Sequence, residues 1–112
     1  MNDAQFAEVN GYVICSCGNI IGKNGRVLTP HINHNGYSEV ILTSNGKRYK
    51  RRVHRLVALK YVPNPKGLPQ VNHIDEDKTN NAASNLNWMT QWDNIHYGTG
   101  IERSAKNRTK GV

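Results

Sequence analysis

Between Gly11 and Arg52 the chain is cut by turn signals every few residues: CGN, GKNG, NHNG and SNG. No amphipathic helix fits between such closely spaced breaks. The Asn-Gly pairs instead supply the positive φ that tight hairpin turns require. The pieces they separate, GYVICS, NIIG, RVLT, YSEVILTS and KRYKRRV, are short and rich in β-branched and aromatic residues. A small antiparallel sheet is the expectation for this half. In YSEVILTS and KRYKRRV, alternation puts basic and polar groups on one face.

The pattern changes at His54. HRLVALKY carries Leu56, Val57, Leu59 and Lys60 at helical spacing, and Pro63 and Pro65 stop the helix by removing backbone donors. After the linker PNPKGLP, a short apolar lead delivers Asn72 and His73. An Asn-loaded loop then leads to a second strand, Leu86 to Met89. Thr90, as N-cap with Asp93 in a capping-box-like arrangement, opens a helix from about Gln91 to Tyr97 that carries Asn94. The expected class is α+β. Its parts are an N-terminal arm (1–10), a basic antiparallel sheet plus helix (11–62), a linker (63–70), a strand-strand-helix unit (71–98) and a basic tail (99–112).

With 112 residues the chain is one small domain. Mean hydropathy of −0.69 and short apolar runs describe a polar, loop-rich protein with no membrane span. The N-terminus has no basic-then-apolar leader, so a cytoplasmic location is expected. A net charge of +7 points to a polyanionic partner. Lys47, Arg48, Lys50, Arg51, Arg52 and Arg55 fall in one acid-free segment, and Arg103, Lys106, Arg108 and Lys110 form a second cluster. No amphipathic helix carries these charges to a membrane surface, so nucleic acid is the expected partner.

The words VHRLVALKYVPNP, QVNHID, NN, NLNW and NIHYGT, in that order, resemble the HNH (ββα-metal) endonucleases of the small phage and intron-homing type. The resemblance implies a metal-dependent DNA endonuclease with double-stranded DNA as its partner. By matched position, His73 becomes the general base, Asn72 and Asn94 offer amide oxygens to a divalent metal, and Asn85 braces the loop and orients His73. The chemistry is coherent: histidine titrates near neutrality, and Mg²⁺, or Mn²⁺ in its place, prefers oxygen ligands and acts as a Lewis acid. Relatives often have Asp or His where Asn72 stands, so this site is expected to lack a carboxylate among its direct ligands. Metal affinity should then depend on substrate phosphate. Asp75, Glu76 and Asp77 occupy a turn where relatives tend to carry glycine; they read mainly as a solvated turn, with Asp75 able to reach the metal through water. His96 lies on a different helical face from Asn94 and reads as a phosphate contact or surface residue.

Arg55 suits a phosphate clamp by guanidinium geometry, or else packing; for His54, capping or packing is the better reading. Tyr37, Tyr49, Trp88 and Trp92 read as core or hairpin packing, Trp88 above all. Two cysteines in a cytosolic chain are poor evidence for a disulfide. Cys15 and Cys17 with His31 and His34 offer a structural Zn²⁺ ligand set, but one intervening residue is tighter than usual zinc spacing, and packing explains the pair as well. The segment after Asn94 resembles the junction at which longer relatives continue into a DNA-reading module, which implies modest sequence specificity here. A single site nicks one strand, so a double-strand break calls for a homodimer or a partner protein. The alternatives are a non-catalytic DNA-binding protein with a degenerate HNH fold and a structure-selective nuclease.

Overall fold

The computed structural model describes residues 2–96; Arg103, Lys106 and the remainder of the basic tail lie outside the described residues. Residues expected as an arm contain helix α1 (Asp3–Val9). Its start is a capping box: the Asn2 side chain accepts from the Gln5 amide, and the Gln5 side chain accepts from the Asn2 amide. The signature was present in the sequence and passed over.

The single sheet expected for residues 11–52 is two sheets. Strands β1 (Val13–Ile14) and β2 (Ile20–Ile21) form a hairpin, while β3 (His31–Ile32), β4 (Ser38–Ser44) and β5 (Lys47–Arg52) form an antiparallel sheet in that order. RVLT contributes only an isolated bridge, Val27 to Ile21. The β4–β5 turn is as expected. Asn45 and Gly46 both have positive φ, 52° and 79°, and Ser44 pairs with Lys47 across them, the pattern of a type I′ turn.

Helix α2 (Val53–Tyr61) is the hub. Val53, Leu56, Val57 and Ala58 are buried against α1, β1, β4 and the later strands. Ile14, Ile20, Leu42, Leu56 and Val57 are the largest fully buried side chains, each contributing roughly 1.5–3 kcal/mol on transfer from water. Polar ties link the layers. The Tyr12 hydroxyl accepts from the Thr43 amide at 2.9 Å, and Tyr61 donates to the Ile14 carbonyl at 2.6 Å.

The strand-strand-helix unit follows: β6 (Gln70–His73), a 3-10 turn (Ala83–Asn85), β7 (Leu86–Met89) and α3 (Gln91–His96). β6 and β7 are antiparallel, with Asn72 opposite Asn87 and His73 opposite Leu86. Trp88 is half-buried on the core and donates its indole N–H to the Val62 carbonyl at 3.0 Å. Thr90 caps α3 by accepting from the Asp93 amide at 3.1 Å. Among the described residues no helix is long and apolar enough to cross a membrane.

Candidate active site

Strand β6 ends where a buried polar cluster begins. Asn72 and His73 are both about 5% exposed, yet both line a pocket of about 210 Å³ with Tyr37, Glu76, Lys78 and Asn94. A buried imidazole needs a hydrogen-bond partner. Asn81 provides it: its Oδ1 lies 2.7 Å from His73 Nε2, while its amide nitrogen donates to the Thr79 carbonyl. An amide oxygen only accepts, so the proton of the neutral ring sits on Nε2 and Nδ1 keeps its lone pair.

The face of the His73 ring packs on His54, with centroids 4.9 Å apart. His54 in turn stacks on Tyr37 at 5.1 Å. Burial pushes the His54 pKa down to about 3, helped by repulsion from His73, Arg52 and Arg55. His54 is therefore a neutral aromatic wall at ordinary pH, which agrees with the packing reading. Tyr37, expected as hairpin packing, instead reaches the pocket, with Lys78 4.7 Å and Arg52 5.1 Å from its ring centroid. Both cations lie within cation–π range.

Asn85 sits in the loop rather than on the histidine. Its Oδ1 accepts from the Asp75 amide at 3.1 Å, and its Nδ2 donates to Asp75 Oδ1 and to the Asn80 carbonyl, each at 2.9 Å. The side chain hydrogen-bonded to the His73 ring is Asn81, which sequence reasoning missed. Asn80 and Asn81 look alike in a linear reading, and only the fold turns one inward. Behind Asn81 stands the β1–β2 turn. Gly18 has φ +101°, and a Cβ there would lie 2.7 Å from the Asn81 carbonyl carbon. Ser16 accepts from the Ala83 amide at 2.8 Å.

The Asp75 carboxylate accepts from Asn80, Asn85 and the Asp77 amide. These bonds, the Asn80 one foremost, hold its pKa below the usual carboxylate value. It is committed to the loop. Asn72 Nδ2 donates to Asn87 Oδ1 at 3.1 Å, which fixes the amide and leaves its own oxygen for another partner. Asn94 reaches the same pocket from α3. His96 does not line it; its ring stacks on exposed Trp92, with centroids 3.9 Å apart.

The basic residues separate. Alternation along β5 puts Arg48, Lys50 and Arg52 on one exposed face and Lys47, Tyr49 and Arg51 on the other. Arg51 is drawn back onto α1, 3.3 Å from the Asp3 carboxylate. Arg55 donates to the Pro69 carbonyl at 3.1 Å and covers the Trp88 ring, so it fastens the linker. Cys15 and Cys17, expected to be unpaired, are bonded to each other across the β1–β2 turn, which brings their Cα atoms to 5.2 Å. Bonded sulfurs are not thiolate donors. Among the described residues no three His, Cys, Asp or Glu side chains are grouped to hold a metal, His31 and His34 included. The oxygen-bearing side chains that line the pocket include the amides of Asn72 and Asn94.

A buried histidine at the end of a strand, amides from the same strand and from a following helix, and an Asn-stapled loop are the parts of a ββα-metal site. Residues 51–96 match the HNH endonuclease family. Among known proteins, it is 39% identical over 111 residues to an uncharacterized HNH endonuclease of Acanthamoeba polyphaga mimivirus, covering 97% of this chain and 32% of that one. It is 34% identical over 96 residues to DNA endonuclease I-HmuI of Bacillus phage SP01 (81% of this chain, 55% of the relative). A solved structure of the HNH homing endonuclease I-HmuI, concerned with its DNA binding and cleavage, superposes with a TM-score of 0.76 at 32% identity, covering 96% of this chain and 60% of that one. The chain thus spans a third of the mimivirus relative and about half of the phage one.

Proposed function

We propose that this chain is a metal-dependent endonuclease that hydrolyses DNA phosphodiester bonds. The observation that carries the reading is one pocket lined by His73, with Nδ1 left basic by the Asn81 bond, and by the amides of Asn72 and Asn94. His73 Nδ1 takes a proton from water as the oxygen attacks phosphorus, and the bond to the leaving 3′-oxygen breaks. A bound Mg²⁺ or Mn²⁺ would neutralise charge on the phosphoryl and leaving oxygens. Asn72 and Asn94 would hold it, and Asn85 keeps the loop closed through its bonds to Asp75 and Asn80.

Duplex DNA would approach along the face of β5 bearing Arg48, Lys50 and Arg52, since Arg52 covers Tyr37 at the pocket. That surface suits backbone phosphates better than base edges, so modest sequence selectivity follows. A monomer with one site would nick.

Nicking of supercoiled plasmid with Mg²⁺ or Mn²⁺ tests the reading. His73→Ala should slow it by a factor of about 10² to 10⁴, the usual contribution of a positioned base, and a chelator should abolish it. Nicking that ignores both changes would refute the roles of His73 and the metal, and no nicking by the unsubstituted chain with either metal would leave a DNA-binding protein without catalysis.

A further inference from the structure

A hard divalent cation needs charge as well as oxygen, and affinity rises with the number of anionic ligands. Asn72 and Asn94 are neutral, His73 is neutral or positive, and Lys78 adds a positive charge to the same pocket. The one anionic side chain among the described lining residues is Glu76. Its neighbours are committed elsewhere: Asp75 to Asn80 and Asn85, Asp77 to the hydroxyl and amide of Thr79. Among the described residues the Glu76 carboxylate makes no hydrogen bond or ion pair.

The backbone sets it there. The Glu76 amide donates to the His73 carbonyl at 3.0 Å, closing a turn directly after the histidine. Glu76 adopts φ +67° in that turn, a conformation that glycine adopts without penalty and a long side chain does not. Position, charge and freedom from other partners converge on this residue.

We propose that Glu76 is the anionic ligand of the cation held by Asn72 and Asn94, so that this pocket binds a divalent metal before DNA arrives. The proposal rests on the metal-dependent reading above. It replaces the expectation, drawn from neutral Asn72, that substrate phosphate must supply all the negative charge.

The test is Mn²⁺ titration of the DNA-free full chain, followed by electron paramagnetic resonance of the free ion. Variants are Glu76→Gln, Glu76→Gly, Asn94→Ala and, as a control for net charge, Glu39→Gln on the outer face of β4. Expected are one site in the unsubstituted chain, affinity at least about tenfold weaker in Glu76→Gln from loss of a close charge, and little change in Glu39→Gln. Glu76→Gly should lose affinity equally while melting no lower than the unsubstituted chain, because glycine suits the positive φ. That combination separates loss of a ligand from loss of fold. Weakened binding in Asn94→Ala with unchanged binding in Glu76→Gln would overturn the role of Glu76 and leave the metal-dependent reading intact. Absence of any site in the unsubstituted chain would overturn the proposal, and failure of metal to support nicking would remove the reading beneath it.

Discussion

The two halves of this molecule are held together by different forces. Around α2, cohesion is apolar: Ile14, Ile20, Leu42, Leu56 and Val57 are fully buried and interlock α1, the hairpin and the three-stranded sheet. In the strand-strand-helix unit only Val71 and Leu86 are buried apolar residues, while Asn72, His73, Asn81 and Asn85 are buried polar ones. The first half rests on non-directional burial and tolerates substitution that keeps volume. The second rests on directional bonds between amides and a carboxylate, where one missing partner leaves another stranded. A site that must fix an imidazole tautomer and an amide oxygen needs direction, which an apolar core cannot give.

The largest effect should come from the apolar half. Leu56→Ala removes a fully buried side chain of α2 and should cost about 2–5 kcal/mol in urea unfolding. Since α2 also packs on β6 and β7, fluorescence of Trp88 should report the same midpoint as circular dichroism. Two separate transitions would show that the polar half folds independently and would break the comparison.

The next effect lies where the halves meet. His54 is held neutral, its pKa lowered from 6.5 to about 3. Its folded pKa lies below its unfolded one, so the unfolded chain takes up a proton that the folded chain refuses. The stability it confers is complete above pH 6.5 and drains away as pH falls toward 3, by up to roughly 5 kcal/mol at 1.36 kcal/mol per unit. His54→Phe keeps the stack on Tyr37 and should flatten that part of the profile. An unchanged acid limb in the variant would mean that other groups set it.

These contrasts also mark what a linear reading could reach. The β4–β5 turn follows from Asn45-Gly46, the end of α2 from Pro63, and the order of the ββα unit from its words, because each is a local rule. Asn81 was not legible, since its contact with His73 depends on Gly18 meeting its backbone from a hairpin far away in sequence. The Cys15–Cys17 pairing and the reach of Tyr37 are likewise products of turns whose exact closure no spacing rule gives. Glu76 was visible as a non-glycine residue in a tight turn, but its place in the pocket was not. The capping box at Asn2 and Gln5 was legible and missed.

Asn81→Ala probes the polar half by a smaller step. It leaves His73 Nε2 buried without its acceptor, at a cost of about 1–3 kcal/mol, and frees the ring to rotate or to carry its proton on Nδ1. Nicking should fall roughly 10- to 100-fold in kcat, with KM for DNA little changed, because Asn81 does not line the pocket. The pH profile of kcat should move as well. A loss confined to KM would mean that Asn81 shapes the DNA surface rather than the base.

The smallest contrast sets one face of β5 against the other. Arg48 and Lys50 point to solvent, whereas Arg51 is engaged with Asp3, both side chains being about a third exposed. Each free cation that meets a phosphate releases counterions, so Arg48→Ala and Lys50→Ala should each reduce the slope of log affinity against log salt by about 1. Arg51→Ala should leave that slope unchanged and lower stability by no more than about 1 kcal/mol, the usual range for a partly exposed pair. Equal slopes for all three variants would mean that the Arg51–Asp3 pair opens on binding. The basic run would then act as one undivided patch, and DNA would contact the edge of the sheet rather than one face.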